Sequence, residues 1–210
     1  MKRSLLLIFS ALFLLLILCG GSILSAQEIE QDLLEEKKEY TYPVSPGKNP
    51  EKWKALGSLS DKLKATKIDE DTLSRMTLDG LTKAILDYPL LINIGIYNSD
   101  KENYDCFLSQ CDAFRELIGR KGGREALVQC YIELTEKLKT DEAGYRNYGD
   151  KALKVFLLEM LIANPYFAKE VDEGLLQSAV NASILYNQGQ ENSFLAAMMK
   201  EMYKGSENQS

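Results

Sequence analysis

The side chains of this chain that could do chemistry are carboxylates, thiols and tyrosines, because none of its 210 residues is histidine. Without an imidazole, neither Ser-His-Asp nor Cys-His nucleophilic catalysis can be built, and histidine metal sites fall with them. Asp69-Glu70-Asp71 has the acids of an opening calcium loop. Its sixth position, however, is Ser74 rather than glycine and its twelfth is Gly80 rather than glutamate, so the sharp turn and the bidentate ligand are both missing. Acids at the positive end of a helix dipole account for the run instead. Among the 31 acidic residues, only Glu159 has a setting apolar enough to suggest a raised pKa, Phe156-Leu157-Leu158-Glu159-Met160-Leu161, and a boundary or helix-cap position is the favoured reading. Glycoside hydrolysis needs only two acids roughly 5 to 10 Å apart across a cleft. Such chemistry therefore stays open as the alternative reading, with no residue assigned to it.

Four cysteines are present and none forms a Cys-x-x-Cys pair. Cys111 lies on the stripe Tyr104, Phe107, Leu108, Cys111, Phe114, Leu117, Ile118, and Cys130 shares a face with Leu127, Tyr131, Leu134 and Leu138. Both spacings are helical and mark buried faces. Two consecutive helices thus aim a cysteine inward, which allows a Cys111–Cys130 disulfide if they pack antiparallel. Buried thiols acting as small hydrophobes are the favoured reading. Cys106 falls off the stripe. Two tyrosine groups, Tyr40 with Tyr42 and Tyr145-Arg146-Asn147-Tyr148-Gly149, have the groups of a recognition surface. Plugging into the domain itself is the simpler use for each. Met198, Met199 and Met202 give the last helix a soft face suited to core packing.

The elements that would position these groups follow a segment with a different purpose. Lys2 and Arg3, an apolar run from Leu5 to Leu18, and Cys19-Gly20-Gly21-Ser22 have the order of a secretory signal. Cleavage after Ala26 fits best, since Ser25-Ala26 is small and Gln27-Glu28 is polar. Lipid attachment at Cys19 is the second fate, weakened by Leu18 where Gly, Ala or Ser is usual. An uncleaved anchor is the third, because residues 5–24 approach the ~20 apolar residues that span a bilayer. Each fate places the rest of the chain outside the cytoplasm, at the surface or beyond. Loss of Lys2 and Arg3 with the signal takes the net charge from −6 to −8. That acidity, with only the short Arg120-Lys121-Gly122-Gly123-Arg124 cluster against it, argues against nucleic acid as a partner.

Residues 27–48 read as a charged, proline-containing linker or arm, 49–204 as one helical domain, and 205–210 as a polar tail. Asn49-Pro50-Glu51 opens the domain with a cap residue and an N1 proline. Helices are expected at 59–65, 70–75, 77–87, 99–119, 124–139, 151–163, 173–187 and 191–204, with a capping box at Ser99 and Glu102. The stretch 90–97 reads as buried helix or irregular core rather than strand, and 141–149 as a short helix or loop. The fold class is all-α, a single irregular bundle of about seven to nine helices. Alignment of Pro89 with Pro165 matches Leu81 to Leu157 and Ile85 to Leu161, which admits a duplicated helical hairpin.

From Trp53 to about Leu134 the order of features resembles a family of uncharacterised secreted bacterial all-helical proteins. The carrying residues are Trp53-Lys54-Ala55-Leu56, Ile68 to Leu73, Met76-Thr77, Leu86-Asp87-Tyr88-Pro89-Leu90-Leu91, Ser109-Gln110 and Arg115 to Lys121. Where that family tends to have Phe-Asn-Gly this chain has Cys111-Asp112-Ala113, so the resemblance implies that Cys111 replaces a core aromatic. It implies export and an all-helical fold, and brings no activity, cofactor or site residue. The expectation is a non-enzymatic exported domain that binds an extracytoplasmic protein or polymer. No catalytic residue, metal site or cofactor is assigned.

Overall fold

The computed structural model describes residues 39–93, 99–140 and 148–187, together with Leu195 and Ala197. These residues form an all-helical protein, with ten α-helices, one 3₁₀ turn and no strand among them. The helices are α1 Pro50–Ala55, α2 Leu59–Ala65, α3 Glu70–Arg75, α4 Leu78–Leu86, α5 Asp100–Gln110, α6 Asp112–Gly119, α7 Gly123–Thr140, α8 Tyr148–Ile162, α9 Pro165–Ala168 and α10 Glu173–Tyr186. The 3₁₀ turn is Leu91–Asn93.

Local chemistry sets most of the starts. Ser58, Asp69, Thr77, Ser99 and Asp172 each sit at an N-cap and accept a hydrogen bond from the backbone N–H three residues on. Asn49 is a correction. Its side chain makes no cap bond to α1. Its Oδ1 accepts from Ser45 N at 2.9 Å and its Nδ2 donates to Pro43 O at 2.9 Å, so it closes the preceding turn rather than the helix.

The helix expected over 99–119 is broken at Cys111, whose φ of −102° and ψ of 101° are extended. The apolar stripe runs through the break because both halves turn the same side to the core, so periodicity could not reveal it. What holds the corner is distant in sequence. The Asp112 carboxylate accepts the Ile68 N–H at 3.1 Å and is ion-paired with Arg115. Arg115 also donates to Leu108 O at 3.2 Å, covering a carbonyl that the end of α5 leaves open. Arg120 does the same for α3, donating to Leu73 O at 2.7 Å, Ser74 O at 3.2 Å and Met76 O.

A run of aromatic rings crosses the core. Tyr40 meets Tyr42 edge-on at 5.1 Å, Tyr42 meets Tyr88 at 5.8 Å, and Tyr88 meets Phe107 at 6.1 Å. Phe107 contacts Phe114 at 4.8 Å, and Phe114 contacts both Tyr104 and Phe167, at 5.9 and 6.3 Å. Tyr104 finally stacks on Tyr166 at 6.2 Å. Edge-to-face and offset pairs at these spacings add stability beyond the area they bury. Residues 39–48 are thereby fastened to the domain: Tyr42 is buried and Glu39 pairs with Lys83 at 2.6 Å.

A second centre ties α7, α8 and α10. Glu159, expected at a boundary or cap, lies inside α8 and is only 4% exposed. Its Oε1 accepts from Tyr131 Oη on α7 and Ser183 Oγ on α10, both at 2.6 Å. A buried carboxylate is tolerable here because two hydroxyls donate to it. Burial, then the neighbouring Glu159 charge, raises the Tyr131 phenol above its ordinary range and keeps it the donor.

Candidate functional site

Proline sets the edges of an open groove among the described residues. The prolines at 43 and 46 keep residues 41–48 extended or turned, and Pro89 stops the chain from continuing α4. Between these two segments and one face of α8 lies an open groove of about 550 Å³. Its walls are Thr41, Tyr42 and 45–48 on one side, Leu86 to Pro89 with Leu91 and Ile92 on a second, and Leu153, Lys154 and Leu157 on the third.

The arm wall is preorganised by its own bonds. Beyond the Asn49 side chain, Asn49 N donates to Ser45 O at 3.1 Å and Lys48 N to Ser45 Oγ at 3.2 Å. Tyr42 and Tyr88 form the buried floor, and Tyr88 Oη donates to Gln110 O at 2.8 Å. Desolvation raises both phenols, with the Cys111 thiol as the next contribution, so neither offers a base. At the rim, Asp87 is the groove's single acid and pairs with Lys154 at 3.1 Å. Ile92 and Leu153 remain 61% and 38% exposed. The surface is thus largely apolar, with one ion pair at its rim and two open aliphatic edges.

The residues singled out in the sequence do not converge there. Cys106, Cys111 and Cys130 are free thiols. Cys111 is buried at the α5–α6 corner, and Cys130 is half-buried on α7. Asp69 caps α3 through Thr72 N at 2.8 Å, so the acidic run is a helix start. Tyr148 and Gly149 belong to α8. Cys19, Tyr145, Arg146, Asn147, Met198, Met199 and Met202 lie outside the described residues. Among the described residues no group of three or more His, Cys, Asp or Glu side chains could hold a metal ion, and no helix is long and apolar enough to cross a membrane. The signal that could have found the groove was Leu90-Leu91-Ile92 following Pro89.

Burial pushes the Cys111 thiol up to about 12 from an ordinary 9.0. An unfolded chain loses that proton near pH 9 while the folded chain keeps it to about 12, so rising pH across that window favours unfolding. The full effect is up to about 4 kcal/mol, at about 1.4 kcal/mol per pH unit. Urea midpoints between pH 8 and 11 are expected to fall, and Cys111→Ala to fall less steeply by about one proton's worth. Parallel slopes for the two proteins would show that this thiol does not titrate on unfolding.

No family model, curated protein or solved structure matches the chain.

Proposed function

We propose that this chain is an exported, non-enzymatic interaction module that docks a protein partner in the groove between the arm, the end of α4 and α8. The carrying observation is the composition of that groove: an apolar trough with Ile92 and Leu153 open at its edges and its one acid already paired to a lysine. Exposed aliphatics beside a rigid polar rim suit the central anchors of a protein interface. The partner is a segment carrying a large apolar side chain for the trough and a carboxylate for the Lys48 side of the rim. Export is supported by the amino-terminal charge and hydropathy pattern.

A photo-crosslinking side chain at position 153 tests this in the extracytoplasmic fraction, with the same group at exposed Lys52 on α1 as the control. One defined protein adduct from position 153, absent from position 52 and abolished by Ile92→Asp, is the expected result. Identical adduct patterns from both positions, or none from 153, would overturn the assignment.

A further inference from the structure

A different surface, where α5, α7 and α9 meet, gathers cations around an aromatic platform. Tyr166 is 39% exposed and is backed by the buried ring of Tyr104. Lys101 Nζ and Lys169 Nζ stand 5.9 and 5.8 Å from the Tyr166 centroid. The Arg124 guanidinium lies 5.3 Å from the Phe167 centroid and donates to Tyr104 Oη at 3.2 Å. Those distances place the two ammonium groups no more than about 12 Å apart, close enough to serve one ligand.

The platform is held rigid from beneath. Asn164 Nδ2 donates to Asp100 O at 2.8 Å, joining the start of α9 to the start of α5, while its Oδ1 accepts from Tyr166 N at 3.0 Å. Fixing a binding surface in advance reduces the ordering cost of association. The charges there are also incompletely used. Lys101 is paired with Asp105, but neither Arg124 nor Lys169 has a carboxylate at ion-pair distance among the described residues. Arg124 and Lys169 are thus two cations beside an exposed ring that no carboxylate at ion-pair distance offsets among the described residues.

We propose that this platform binds an anionic glycan, with Lys101, Arg124 and Lys169 holding its carboxylate or phosphate groups and a sugar ring resting at Tyr166. A glycan fits better than a nucleic-acid duplex because even a uronic-acid polymer carries one charge per sugar ring, fewer per unit length than the duplex's one per ~1.7 Å. The dense phosphates of a nucleic acid would meet the repulsion of the acidic remainder. It fits better than an acidic peptide because the exposed tyrosine offers an apolar ring beside the cations, which a sugar's C–H face can cover. The site shares no residue with the groove and does not depend on the docking of a protein there.

Affinity electrophoresis of the purified protein through gels containing polygalacturonate, phosphomannan, neutral dextran or poly-glutamate tests the proposal. Retardation by one or both anionic glycans is expected, weakening as salt rises, with dextran inert and poly-glutamate at least about tenfold weaker. The gel that retards identifies carboxylate or phosphate as the group read. Lys101→Ala with Lys169→Ala is expected to weaken glycan binding tenfold or more, and Tyr166→Ala several-fold. Lys52→Ala with Lys54→Ala, exposed on α1, should leave it unchanged. Far-UV circular dichroism verifies the fold of each variant. Equal retardation by poly-glutamate, undiminished binding in the platform variants, or no retardation by either anionic glycan would overturn the proposal.

Discussion

Gly123→Ala is expected to destabilise this protein by about 3 to 5 kcal/mol, the cost of forcing backbone apart in a packed turn. A Cβ built on Gly123 would lie 1.8 Å from the Leu117 carbonyl oxygen and 2.7 Å from its carbon. The obstacle is main chain and cannot rotate away. Gly122, immediately before it, has φ of +77°, so the link between α6 and α7 has little conformational slack. Gly119, four residues earlier, is the natural control because an added Cβ there meets nothing within 4 Å. Gly119→Ala should be neutral or stabilising by up to about 1 kcal/mol. Thermal unfolding of the two variants should therefore diverge by roughly 10 °C or more. Equal melting temperatures would mean that α6 and α7 do not approach as closely as the turn requires.

The second large effect is centred on Glu159. Glu159→Ala removes the acceptor shared by Tyr131 and Ser183 and leaves two buried hydroxyls to find new partners, at a cost of about 3 to 5 kcal/mol. Glu159→Gln keeps a side-chain carbonyl in place and should cost roughly 1 to 2 kcal/mol. The sharper experiment replaces the whole network: Glu159→Leu together with Tyr131→Phe and Ser183→Ala should recover most of the loss, because no polar group is then stranded. Denaturant midpoints decide it. Additive destabilisation of the triple variant would show that the three groups act separately rather than as one network.

These two residues also show what could and could not be read from the chain. Helix starts were legible because their chemistry is local: Ser58, Asp69, Thr77, Ser99 and Asp172 each satisfy a donor three residues away. The all-helical class followed from spacing, and the glycine pair at 122 and 123 announced a turn. The break at Cys111 was hidden because it depends on Asp112 meeting a backbone N–H 44 positions earlier. The burial of Glu159 is hidden in the same way, since its donors come from two other helices, 28 and 24 positions away. The groove and the cationic platform are likewise products of packing. Their residues come from segments that no window of sequence sets side by side.

The single tryptophan has a consequence for anyone watching this protein in solution. Trp53 is half-buried on α1 with Lys62 Nζ 5.3 Å from its ring, and it is not among the aromatic contacts that cross the core. Indole emission therefore reports the α1–α2 corner, where Trp53 packs against the core, while tyrosine absorbance averages buried rings such as Tyr42, Tyr88 and Tyr131 with exposed Tyr166. The two signals weight different parts of the molecule, so a loosened first corner and a melted core leave different spectral traces.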